Sequence, residues 1–151
     1  MSFFLTLASL TLVALLAGNP NTVTINGHTF SAEISKTVEQ KVKGLMYRKE
    51  LPDNSCMVFL YTEDSNRPIW MENTRIPLDV IWVSESGRVV EVQENVPPCP
   101  NVYNPGMCPE FGGEVPARHF IEFPSGTIAK IGIKTGDIAV LNLLVPHDDC
   151  Q

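Results

Sequence analysis

The chain has 151 residues, 44% of them hydrophobic and 19% charged, with 17 acids against 11 bases for a formal net charge of −6. That length suits one domain of roughly 100–200 residues, and the composition excludes a disordered chain, which pairs low hydrophobicity with high net charge. No Lys/Arg cluster interrupts the acidity, so nucleic acid is excluded as a partner and anionic lipid headgroups are disfavoured, since both need gathered basic side chains.

The first element is apolar. Phe3 to Ala17 carries no charge and breaks at Gly18, Asn19 and Pro20. As a helix, such a stretch spans about 22 Å against a hydrocarbon core of about 30 Å, which favours a signal-peptide core over a membrane span. Residues 1–19 are therefore expected to be an export leader or, if retained, an N-terminal membrane anchor, with a single domain over 20–151.

Twelve prolines and ten glycines point to turns and short strands. Val23–Ile25 and His28–Phe30 flank Asn26-Gly27, a two-residue hairpin signal because a type I′ turn needs positive φ at both positions. The second strand continues through Ala32–Ile34. Thr37 and Gln40 have capping-box spacing, and Val38, Val42, Leu45 and Met46 follow at helical spacing. The pattern predicts a helix over 38–47. Strands are expected at Met57–Tyr61, Ile69–Met71, Leu78–Val83 (apolar on both faces, hence buried on both), Arg88–Gln93, His119–Phe123 and Ile138–Val145. One helical turn at Thr127–Ile131 should stop at Gly132. The fold class is mostly β: a small irregular barrel or barrel-like sheet with one main helix and about seven short strands.

Four cysteines, Cys56, Cys99, Cys108 and Cys150, allow three pairings. Cys99 and Cys108 share a Pro/Gly-rich loop within 96–117, where a bridge is the favoured reading and zinc the rival. His28, His119 and His147 are scattered, whereas a zinc site needs tightly spaced ligands, so no metal is expected. Cys56, in an apolar run, reads as a small buried hydrophobe, with a bridge to Cys150 open.

Gly44-Leu45-Met46-Tyr47-Arg48, Leu51-Pro52 and Met57-Val58-Phe59 precede Trp70-Met71-Glu72-Asn73-Thr74-Arg75-Ile76-Pro77-Leu78-Asp79. In this order they resemble a prokaryotic family known as domain of unknown function 192, with its GLM-x-R and WMKNT-x-IPLD segments. Pro98-Cys99 with Cys108, Ala117-Arg118 with Glu122, and Gly132–Asp137 match the family's later motifs. The resemblance covers roughly 23–145. It implies a compact β-rich fold, secreted or membrane-associated, with no established activity. The chain departs from the family pattern at Glu72, where a Lys is usual, and at Cys56, where a Gly is usual.

Trp70–Asp79 is the densest polar and aromatic cluster. Its structural reading is a strand, a turn held by Asn73 and Thr74, and a second strand, with Trp70 and Trp82 in the core and Asp79 accepting backbone hydrogen bonds. Its functional reading is a ligand groove in which Trp70 offers a platform and Glu72, Asn73, Thr74, Arg75 and Asp79 supply polar contacts. No nucleophile elbow, zinc motif or phosphate loop is present, and no cofactor is implied. The expected function is thus an exported, non-catalytic binding or envelope-associated module, its partner a small molecule, a glycan or an envelope protein, with membrane contact only through the leader. The rival is a carboxylate-based hydrolase of envelope glycan using Glu72, Asp79 and Glu122. The location expected is extracytoplasmic, periplasmic or secreted.

Overall fold

The hairpin forms where Asn26-Gly27 places it. Both residues take positive φ (48° and 77°) and join β1 (Thr22–Ile25) to β2 (His28–Ser35) in antiparallel register, Ile25 opposite His28. The computed structural model describes residues 18–100 and 106–144. The apolar stretch at 3–17, expected to be a leader, and the chain end with Cys150 lie outside the described residues.

After β2 the capping box closes as expected. The Thr37 hydroxyl accepts from the Gln40 amide, and the Gln40 side chain accepts from the Thr37 amide. The helix, α1, is shorter than its periodicity predicts: it runs Val38–Lys43 and ends because Gly44 enters positive φ (42°). Leu45 then turns into the core while Tyr47, also at positive φ, bonds to the Asn73 carbonyl. Arg48 ties this turn to β2 through a two-pronged pair with Glu33 at 2.6 Å on both arms. These contacts explain why the Gly-Leu-Met-x-Arg run is a structural unit.

The remaining elements are β3 (Ser55–Phe59), β4 (Ile69–Trp70), β5 (Leu78–Val83), β6 (Val89–Val96), β7 (Glu110–Phe111), β8 (His119–Pro124), α2 (Thr127–Ile131) and β9 (Val140–Asn142). Seven strands form one sheet in the order β6-β5-β8-β3-β2-β1-β9, and β4 pairs with β7 in a small second sheet. Every neighbouring pair is antiparallel except β2 with β3, which α1 connects as a crossover. The large sheet curls into a half-barrel. Its two ends meet where Ala139 N–H bonds the Gly87 carbonyl and Val89 N–H bonds the Asp137 carbonyl, each at 2.8 Å. Gly87 is required there, because a Cβ would sit 2.1 Å from the Ala139 oxygen.

Side-chain alternation along each strand sorts the core into two clusters. Val58, Ile81, Val83, Ile121 and Phe123 fill the inside of the curl with Val23, Val89 and Ile128. Met57, Phe59, Val80, Trp82 and Phe120 face the other way, against Leu45, Ile69 and Met71 from the covering loops. All six residues of β5 are buried, which accounts for its apolar character on both faces.

Cys99 and Cys108 form a disulfide with a Cα–Cα distance of 6.1 Å. Cys56 is free and buried, and burial pushes its thiol up to about 12. Among the described residues, no cluster of ligating side chains could hold a metal ion, and no helix is long and apolar enough to cross a membrane.

Candidate functional site

On the outer face of the sheet, α1, the turn that follows it, and residues 66–74 enclose a cavity of about 550 Å³ over β3 and β8. That volume is of the size that holds small organic ligands. Its walls are largely apolar: Val38, Val42, Leu45, Phe59, Tyr61, Ile69, Trp70 and Phe120. The floor is built by sheet register. Phe59 and Phe120 are cross-strand partners and their rings stack at 4.3 Å. Two residues on from Phe120 along β8, alternation puts Glu122 on the same face, opposite Met57 of β3 and Val80 of β5.

Glu122 is the chemical centre of the cavity. Its side chain is 6% exposed, lines the cavity, and has no hydrogen-bond or ion-pair partner among the described residues. Burial alone pushes its carboxyl up to about 8, so at neutral pH it is mostly a neutral acid, able to donate one hydrogen bond and accept others.

A second polar group is similarly placed. Arg67 stacks its guanidinium on the Tyr61 ring at 3.6 Å. One terminal nitrogen donates to the Glu63 carbonyl at 2.6 Å. Its Nε is buried without a partner. The Arg67 carbonyl receives the Trp82 indole N–H at 2.8 Å, and the Gly113 backbone presses on the Arg67–Pro68 peptide, where a Cβ would come within 2.2 Å. The residue is therefore held in place from both its main chain and its side chain. Burial lowers the proton affinity of its guanidinium, and the phenol of Tyr61 is raised by burial as well. Lys41 also approaches the Tyr61 ring, at 4.1 Å, so both cations meet one aromatic side chain.

The candidate residues of Trp70–Asp79 separate into two groups. Trp70, Glu72 and Thr74 line the cavity. Trp70 is 46% exposed, so it is a rim residue; Trp82 alone of the two tryptophans is in the core. Asn73 takes positive φ (54°) and Thr74 N–H bonds the Met71 carbonyl, which makes the tight turn. The Thr74 carbonyl accepts from Cys99 N–H and Glu72 bridges to Cys99, so the disulfide loop braces the turn. Arg75 points elsewhere, its guanidinium 5.6 Å from the Tyr47 ring centroid. Asp79 is fully buried, accepting from Asn95 N–H at 2.9 Å and Ile128 N–H at 2.8 Å. It supplies to α2 the acceptor that Gly126, its N-cap, lacks.

Arg67, Tyr61, Phe59 and Phe120 are cavity residues that the sequence did not single out. Arg67 lies in a polar run, Glu63-Asp64-Ser65-Asn66-Arg67, that reads as a solvated loop. A lone carboxyl inside His119-Phe120-Ile121-Glu122-Phe123 was the one available signal, since apolar neighbours at every other position mark a buried strand.

Comparison with known proteins gives the fold a wider setting. A crystal structure of a protein of unknown function from Novosphingobium aromaticivorans superposes with a TM-score of 0.69 at 33% identity, covering 79% of this chain and 83% of that one. A proposed transcription regulator from Sinorhizobium meliloti superposes with a TM-score of 0.70 at 25% identity, covering 80% and 92%. No curated protein matches the chain significantly. The model of the DUF192 family, described as "Uncharacterized ACR", matches residues 21–140, and with nearly the whole described domain inside that match the chain belongs to this family.

Proposed function

We propose that the chain is an exported domain that binds a small, largely apolar molecule in the cavity over β3 and β8, and that it does so without catalysis. The observation carrying this reading is the Glu122 carboxyl, buried in an aromatic-walled cavity with no partner among the described residues. The Glu122 oxygens are not among the solvent-inaccessible unpartnered atoms, so they face the cavity, where a ligand's polar atom can take the place of water and contribute roughly 0.5–1.5 kcal/mol per hydrogen bond. The apolar lining supports a hydrophobic body around that contact. Trp70 at the rim and Val38 and Val42 on the exposed face of α1 extend the apolar surface outward. Export is supported by the Cys99–Cys108 disulfide, since such bridges persist in oxidising compartments, and by the apolar stretch 3–17; retention of that stretch would make the domain membrane-anchored.

The test is a panel of small aromatic and aliphatic fragments followed by amide chemical shifts. Shifts should centre on Phe59, Tyr61, Phe120 and Glu122, and should vanish in Val42→Trp, which fills the cavity from an exposed helix position. Equal shifts in both proteins remove the reading. Cell fractionation with N-terminal sequencing tests the export step, and a chain found only in the cytoplasm would sink it.

A second reading has one observation in its favour: Glu72 and Glu122 line the same cavity, as the two carboxyls of a glycosidase would. Incubation of envelope glycan with wild type and Glu122→Gln decides it, because turnover by wild type alone would establish hydrolysis and turnover by neither would exclude it.

A further inference from the structure

We infer that the ligand of this cavity is an organic carboxylate, its carboxylate held by Arg67 and its apolar body laid against Phe59, Tyr61 and Phe120. The inference rests on the binding reading above and names the class of molecule bound.

Arg67 is the group that sets the class. Its Nε is buried and has no partner, and among the described residues the side chain forms no ion pair. An arginine that serves only the fold normally spends its donors on a carboxylate or on carbonyls, as Arg48 and Arg118 do here. Arg67 spends one terminal nitrogen, Nη2, on the Glu63 carbonyl, while the other, Nη1, has no hydrogen-bond partner among the described residues and the side chain lines the cavity. A guanidinium edge is shaped for the paired oxygens of a carboxylate. The stack on Tyr61 and the main-chain contacts to Trp82 and Gly113 hold the residue before any ligand arrives, which reduces the ordering cost of binding.

The other charges of the lining point the same way. Lys41, Lys43 and Arg67 stand against Glu72, with Glu122 a neutral acid at neutral pH, in a protein whose overall charge is −6, so the cavity is locally more cationic than the chain. An ammonium ligand would meet those three cations, and the Tyr61 ring that might attract it is already approached by Lys41 and Arg67. A doubly charged phosphate ester would meet the charge of Glu72, whereas a single carboxylate carries less repulsion and still uses Arg67. Glu122, which lines the same cavity, is left for a second polar group on the same molecule.

The experiment is a titration of the full chain with four matched probes: 3-phenylpropanoate, 3-phenylpropylamine, 3-phenylpropanol and phenyl phosphate. The carboxylate should bind at least tenfold more tightly than each of the others. Arg67→Gln, shown to be folded by circular dichroism, should erase that preference while retaining the alcohol's affinity. If Arg67→Gln does not fold, Arg67→Lys keeps the cation and the stem but loses the fork, and should cost the carboxylate fivefold or more. Tightest binding of the amine, the alcohol or the phosphate overturns the inference and leaves the cavity reading standing, as does a preference unaffected by either substitution. Binding of none of the four at millimolar concentration overturns both.

Discussion

Glu122→Gln isolates the energetic role of the buried acid. Burial raises the carboxyl from 4.5 to about 8, so the folded chain keeps a proton there that the unfolded chain releases. The sign follows from linkage: the folded state binds more protons between those two values, so stability falls as pH rises through that window. The contribution is fully present below 4.5, declines by about 1.4 kcal/mol per pH unit, and is lost above about pH 8, a total of about 5 kcal/mol. Water entering the open side of the cavity would screen the carboxylate and reduce the total. Gln keeps the shape and carries no proton to lose. The two proteins should therefore differ little in pH dependence below pH 5, and the Gln variant should gain on wild type by several kcal/mol between pH 5 and pH 9. Guanidinium unfolding at pH 5, 7 and 9 without reductant measures this, and groups common to both proteins cancel in the difference. Cys56, with its thiol pushed up to about 12, adds no thiolate at pH 9. Parallel pH profiles for the two proteins would refute the reasoning, since they would mean that Glu122 titrates as it does in the unfolded chain.

Three other outcomes are expected. Asp79→Ala should destabilise the fold by roughly 2–5 kcal/mol in the same denaturant assay, because it strips the acceptor from two backbone amides, one of them the buried Ile128 amide in the first turn of α2. Cys99→Ser with Cys108→Ser should cost about 3 kcal/mol, the chain-entropy value for a loop of this sequence separation of 9, read as a lower denaturant midpoint under non-reducing conditions. Cys56 should resist iodoacetamide in the native protein and react only on unfolding, since burial keeps its thiol protonated; rapid native labelling would place it in a more open environment.

What could be read from the sequence was local. Asn26-Gly27 predicts its hairpin because the turn chemistry is contained in two residues. Thr37 and Gln40 predict the start of α1 for the same reason, and Gly132 the end of α2. The buried strand Leu78–Val83 is legible from its unbroken apolar run. The end of α1 was not, because Val42, Leu45 and Met46 keep helical spacing past Gly44, whose positive φ overrides the pattern. Asp79 lay in the candidate cluster on composition, yet its partners are 16 and 49 residues away. The cavity was least legible of all: Arg67 and Glu122 are separated by β4, β5, β6 and β7, and only the curl of the sheet and the fold of the 66–74 loop bring them to one lining. Trp70, Glu72 and Thr74 reach it; Asn73 and Arg75 serve the turn and its outer side.

The helix α1 buries none of its own residues, although Val38, Lys41, Val42 and Lys43 all line the cavity. Substitutions at such exposed positions usually change stability by no more than about 0.5 kcal/mol. One wall of the pocket can therefore be rewritten almost independently of the scaffold, while the floor of Phe59, Phe120 and Glu122 is tied to the core. A family built this way can keep one fold and one buried acid while its members diverge in what they recognise, with the divergence concentrated in six helical residues.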